Sequence, residues 1–94
     1  MVNTADILNA KILIVDDQEA SADTLKALLD ATGYANVTAT TNPYQVRELH
    51  LQHHYSLILL DLQMPGMSGF DVMHDLHALE PEGYLPVFAL TGEP

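Results

Sequence analysis

Ninety-four residues make one domain at most, large enough to bury a core without cross-links, and the absence of cysteine removes disulfides and thiolate metal sites. Thirteen acids against three bases, Lys11, Lys26 and Arg47, give a formal net charge of −10. That balance opposes nonspecific binding to nucleic acid or anionic membranes, which need Lys and Arg to replace counterions. Met1 to Ala10 has neither a basic start nor a long apolar segment, so no signal peptide or membrane anchor is expected and the cytoplasm is the default location.

After this N-terminal lead-in (residues 1–10), Lys11-Ile12-Leu13-Ile14-Val15 is a β-branched apolar run closed by Asp16-Asp17 and reads as a strand. Ala22, Leu25, Leu28 and Leu29 follow at helical spacing, with Gly33 where a left-handed cap belongs. The first helix is therefore expected from about Gln18 to Thr32. Val37 to Thr40 is a short, less apolar strand suited to a sheet edge. Asn42-Pro43 supplies an N-cap followed by proline at the first position of a second helix, whose inward stripe is Val46 and Leu49.

The stretch Leu57 to Gly69 ends a buried-strand pattern in a single carboxylate, Asp61, followed by turn chemistry at Pro65-Gly66. The third strand is expected over Tyr55 to Leu60. Ser68 with Asp71 reads as a capping box for a third helix that buries Val72, Met73, Leu76 and Leu79, and Pro81 and Gly83 end it. Pro86 to Thr91 is the fourth strand.

Strands alternating with helices imply right-handed crossovers and a parallel sheet. With the second strand at the edge the order is 2-1-3-4, and the winding reverses between strands 1 and 3. Asp16, Asp17 and Asp61 then converge at the topological switch point, the edge where ligands bind in open α/β sheets. Packed carboxylates must protonate or take up a cation. Oxygen donors alone favour a hard ion, Mg2+ above all, and aspartate is also a covalent acceptor of phosphoryl groups. Thr91, closing strand 4 on the same edge, could donate its hydroxyl to a phosphoryl oxygen on Asp61.

Three motifs, Ile14-Val15-Asp16-Asp17, Leu60 through Gly69, and Ala89-Leu90-Thr91, stand in an order and spacing that resemble the response-regulator receiver domains of two-component signalling. The resemblance implies a flavodoxin-like doubly wound α/β fold over residues 11–94. It also implies that Asp61 is the phosphoacceptor, charged by a histidine kinase or a histidine phosphotransfer protein. Mg2+ would be held by Asp61, by Asp17 directly, by Asp16 through water and by the backbone carbonyl of Gln63. Met64, Pro65 and Gly66 would form the active-site loop and Thr91 the switch hydroxyl. Such a domain is a regulatory phosphoacceptor, not an enzyme beyond self-phosphorylation from small donors and autodephosphorylation.

Receiver domains resemble a five-strand, five-helix sandwich whose fifth strand ends in a lysine that contacts the phosphoryl group, and this sequence stops at Pro94. No residue here takes that lysine's place. Lys11 lies five residues before Asp16, ~16 Å away at ~3.3 Å per residue, and Lys26 is expected to face solvent. The sequence thus reads as a receiver domain incomplete at its C-terminus, expected to phosphorylate poorly.

Alternatives differ in chemistry. A pseudo-receiver would bind proteins without phosphorylation. A Mg-dependent aspartyl-phosphate phosphatase needs an acid two residues after the nucleophile, where Gln63 stands. A flavin protein needs a Gly/Ser/Thr phosphate cradle, where Asp16-Asp17-Gln18-Glu19 stands. His50 and His53, and His74 and His77, are spaced three apart on helices without a third ligand, and with His54 are expected on solvated faces. An open strand-4 edge with an uncovered apolar face invites self-association. Light scattering should therefore show a concentration-dependent rise in mass, and a monodisperse, salt-insensitive monomer would contradict this.

Overall fold

The computed structural model describes residues 7–61, 69–79 and 87–90. Its elements are β1 (Lys11–Val15), α1 (Glu19–Thr32), β2 (Asn36–Thr40), a 3-10 turn (Pro43–Gln45), α2 (Val46–His53), β3 (Leu57–Asp61), α3 (Gly69–Leu79) and β4 (Val87–Leu90). The strands pair in parallel in the order β2-β1-β3-β4, as the alternation of strands and helices requires. The capping box at Ser68 and the stop at Pro81 and Gly83 lie outside the described residues.

Side chains alternate across a strand, so β1 feeds two cores at once. Leu13 and Val15 join Ile58 and Leu60 of β3, Val46 of α2, and Val72 and Leu76 of α3 on one face. Ile12 and Ile14 join Val37 of β2 and Ala22 of α1 on the other, with Leu25, Leu29, Leu57 and Leu59 packed around them. Burying a side chain such as Leu13 or Ile58 completely contributes roughly 1.5–3 kcal/mol.

The turn after α1 forms as its glycine suggests. Gly33 has φ 113°, its N–H donates to the Asp30 carbonyl at 3.1 Å, and the Tyr34 N–H reaches back to the Leu29 carbonyl at 3.1 Å. The described end of the lead-in, residues 7–10, is tied to this turn. The Ala35 N–H donates to the Leu8 carbonyl, and the Asn36 side-chain amide donates to the Asn9 carbonyl.

Several expectations need correction. Leu28 is 61% exposed rather than inward. At about 100° per residue it sits about 120° from Ala22, off the stripe that Ala22, Leu25 and Leu29 make. The second helix does not begin as an α-helix at Pro43. Asn42 caps the 3-10 turn by accepting the Tyr44 N–H at 2.9 Å, and α-helical geometry starts at Val46. β2 begins one residue earlier than expected, at Asn36, and β3 begins at Leu57 rather than Tyr55.

The largest departure is His50, which is 2% exposed instead of solvated. Its Nδ1 accepts the Tyr55 N–H at 3.1 Å, and its ring stacks at 6.2 Å on that of Tyr55. Between them His54 adopts the left-handed conformation, φ 52°, with its N–H donating to the His50 carbonyl at 2.8 Å. His50→Leu keeps the bulk but strands the Tyr55 N–H, so chemical denaturation should show a loss of about 1–3 kcal/mol. An unchanged midpoint would mean that the bond contributes nothing.

Candidate functional site

Register builds the acidic site. β1 and β3 pair from Ile12 opposite Leu57 to Val15 opposite Leu60, which brings the next residues, Asp16 and Asp61, side by side at the carboxyl edge. Both continue the alternation of Ile12, Ile14, Leu57 and Leu59, on the side of the sheet that α1 covers. Asp17 follows into the loop before α1. One carboxylate oxygen from each of Asp16, Asp17 and Asp61 lies within 4.8 Å of the other two.

Asp16 and Asp61 are 8% and 9% exposed, and Asp17 is half-buried. Two unit charges 4.8 Å apart repel by about 3 kcal/mol at an effective dielectric near 20. Burial pushes the Asp16 carboxyl above its ordinary 3.8, the Gln18 N–H opposes that shift, and the charges of Asp61 and Asp17 add to it. The opposing bond runs from the Gln18 N–H to Asp16 Oδ1 at 2.9 Å.

The backbone around this cluster is held as well. The Asp16 N–H donates to the Thr40 carbonyl at 3.2 Å, extending the β1–β2 ladder beyond Val15. Thr40 Oγ1 accepts the Asn42 N–H and donates to Gln45, both at 3.1 Å, which fixes the loop after β2. Neither support, Gln18 or Thr40, stands out in the sequence. A polar residue closing the strand next to an acid-bearing one is the available signal for Thr40.

Asp16, Asp17 and Asp61 are thus brought together as expected. Gln63, the loop residues Met64, Pro65 and Gly66, and Thr91 lie outside the described residues, although Leu90 stands opposite Asp61 in the β3–β4 ladder. Lys26 pairs with Asp30 at 2.9 Å on α1, and Lys11 donates to the His53 carbonyl at 3.1 Å. His53, His54, His74 and His77 are exposed.

Hard oxygen donors grouped this closely, with the repulsion visible at Asp16, fit a small divalent cation such as Mg2+.

A doubly wound parallel sheet with acids at its switch point defines a flavodoxin-like α/β protein with an oxygen-donor site. The response regulator receiver domain model matches residues 12–94, and the chain belongs to that family. It is 32% identical over 84 residues to the polar-differentiation response regulator DivK of Brucella ovis, covering 89% of this chain and 68% of DivK. It is 31% identical over 91 residues to the sensory/regulatory protein RpfC of Xanthomonas campestris, covering 95% of this chain but only 12% of RpfC.

Among solved structures, the Vibrio cholerae chemotaxis protein CheY4 superposes with a TM-score of 0.83 at 24% identity, over 92% of this chain and 71% of that one. The receiver domain of the Arabidopsis thaliana histidine kinase CKI1, in complex with Mg2+ and BeF3−, gives 0.82 at 20% identity, over 95% and 70%. These two likenesses concern the fold.

Because the Asp16 carboxyl is raised, the fold favours its protonated form. In the absence of divalent ions, the contribution of Asp16 to stability should be lost as pH rises from near 3.8 through the raised value, and Asp16→Asn should remove that part of the pH dependence. At pH 7 without divalent cations, Asp16→Asn should melt at a higher temperature than the parent, since Asn keeps an oxygen for the Gln18 N–H and loses the charge. Calorimetry that found the variant less stable under those conditions would contradict the repulsion.

Proposed function

We propose that this receiver domain is a phosphorylation-switched signalling module whose acceptor is Asp61, supplied by a histidine kinase or a histidine phosphotransfer protein. What carries the reading is the grouping of Asp16, Asp17 and Asp61 within 4.8 Å at the carboxyl edge of a doubly wound sheet, in a chain of this family.

Asp61 suits the acceptor role because it ends β3, held at its backbone by the ladder, with its carboxylate at the edge rather than in either core. Its oxygen would attack the phosphorus of a phosphohistidine. The phosphorus–nitrogen bond breaks, the imidazole nitrogen leaves, and an acyl phosphate forms on Asp61. Asp16 and Asp17, with the carbonyl of Gln63, would hold Mg2+, which when bound offsets negative charge on both partners.

The 2.9 Å bond from the Gln18 N–H to Asp16 Oδ1 orients one of these carboxylates in advance. Thr91 would donate its hydroxyl to the phosphoryl group, shifting a pre-existing equilibrium between inactive and active forms. Among the described residues no helix is long and apolar enough to cross a membrane. The reading assigns the domain to the cytoplasm, where its donors would meet it.

Intact mass after incubation with a small-molecule phosphodonor tests this. One phosphoryl group should add in the presence of Mg2+, with at least a tenfold drop in yield under chelation and none in Asp61→Asn. An adduct that persists in Asp61→Asn would reassign the acceptor. Absence of any adduct from a phosphorylated histidine donor, both on this chain and on one extended through a fifth strand with its lysine, would favour a protein-binding module that acts without phosphorylation.

A further inference from the structure

The opposite end of the sheet holds a second polar cleft, of about 280 Å3, between the edge strand β2 and the end of α2. Lys11, Asn36, Thr38, His53 and Tyr55 line it, with no carboxylate among the described lining residues. In a chain with thirteen acids and three Lys or Arg, this cleft brings together one of those bases and no acid among its described lining residues.

The donors there are only partly used. Lys11 Nζ donates one of its three N–H bonds to the His53 carbonyl at 3.1 Å, and among the described residues no carboxylate pairs with it. That bond also offsets the partial negative charge at the end of α2, which would otherwise repel an anion. The Asn36 amide spends one N–H on Asn9, leaving the other available, and Thr38, an exposed residue, brings a hydroxyl to the lining. The rings of His53 and Tyr55, 5.7 Å apart, wall the cleft beside these groups.

We propose that this cleft binds a small anion, a phosphate- or carboxylate-bearing molecule, with Lys11 as the charge partner and Asn36 and Thr38 as orienting donors. The volume lies just under the ~300–1,000 Å3 usual for ligand sites, so the occupant is small. Distance protects it from the acidic cluster. Lys11 and Asp16 stand at opposite ends of β1, ~16 Å apart, about twice the ~8 Å screening length at physiological ionic strength. Anion binding in this cleft is independent of whether Asp61 accepts a phosphoryl group.

Backbone amide shifts of the 94-residue chain, followed by NMR without Mg2+ and at constant ionic strength, test it with inorganic phosphate in one arm and acetate in the other. The expected result is a saturating response centred on Lys11, Asn36, Thr38 and His53 in at least one arm, and the arm that saturates identifies the anion class. Lys11→Met should weaken it about tenfold or more, while Lys11→Arg retains it. Thr38→Val, at an exposed position, should weaken it severalfold and carries the test should Lys11→Met fail to fold. Shifts that rise linearly without saturation, gather elsewhere, or are indifferent to the substitution that folds would overturn the proposal.

Discussion

The parallel pairing of β1 with β3 sets Val15 beside Leu60, and the next residue on each strand is an aspartate. The structure depends on that adjacency being enforced against electrostatics. A one-residue slip of β3 would exchange Ile58 and Leu60 with Leu57 and Leu59 between the two cores and carry Asp61 to the other face, because side chains alternate with a period of two. The apolar residues therefore hold the register, and the register holds the charges together. Burial of Leu13, Ile14, Ile58 and Leu60, all fully enclosed, outweighs the repulsion at the strand ends.

That division of labour explains how a strongly acidic chain keeps its sheet intact. Carboxylates on solvated surfaces, such as Asp30 beside Lys26, are screened, and their mutual repulsion is small. Asp16 and Asp61 are nearly buried, and there the cost is concentrated. The bond from the Gln18 N–H and the pairing of the Asp16 N–H with Thr40 hold Asp16 in place at its carboxylate and its backbone.

The sheet and its acid cluster are legible in the sequence because they rest on coarse signals. Two apolar runs ending in aspartate, separated by βα units, leave few topologies, and the switch point follows from strand order. His50 is not legible as a buried residue because histidine reads as polar. Its spacing of four from Val46 puts it on the inward stripe, and this is the signal available. Leu28 misleads in the opposite sense, since an apolar side chain adjacent to a helical stripe need not belong to it. The 3-10 entry to α2 is hidden because proline after an N-cap suits either helix type at its first turn.

α2 has eight residues, enters through a 3-10 turn and leaves through a left-handed histidine. A helix of that length has little stability of its own, so it persists through what Val46 and His50 bury. Local opening of this helix costs less than opening the sheet, whose strands share two cores. The protein thus has a segment that can breathe on one face while the β1–β3 ladder, and the acids at its end, stay in place.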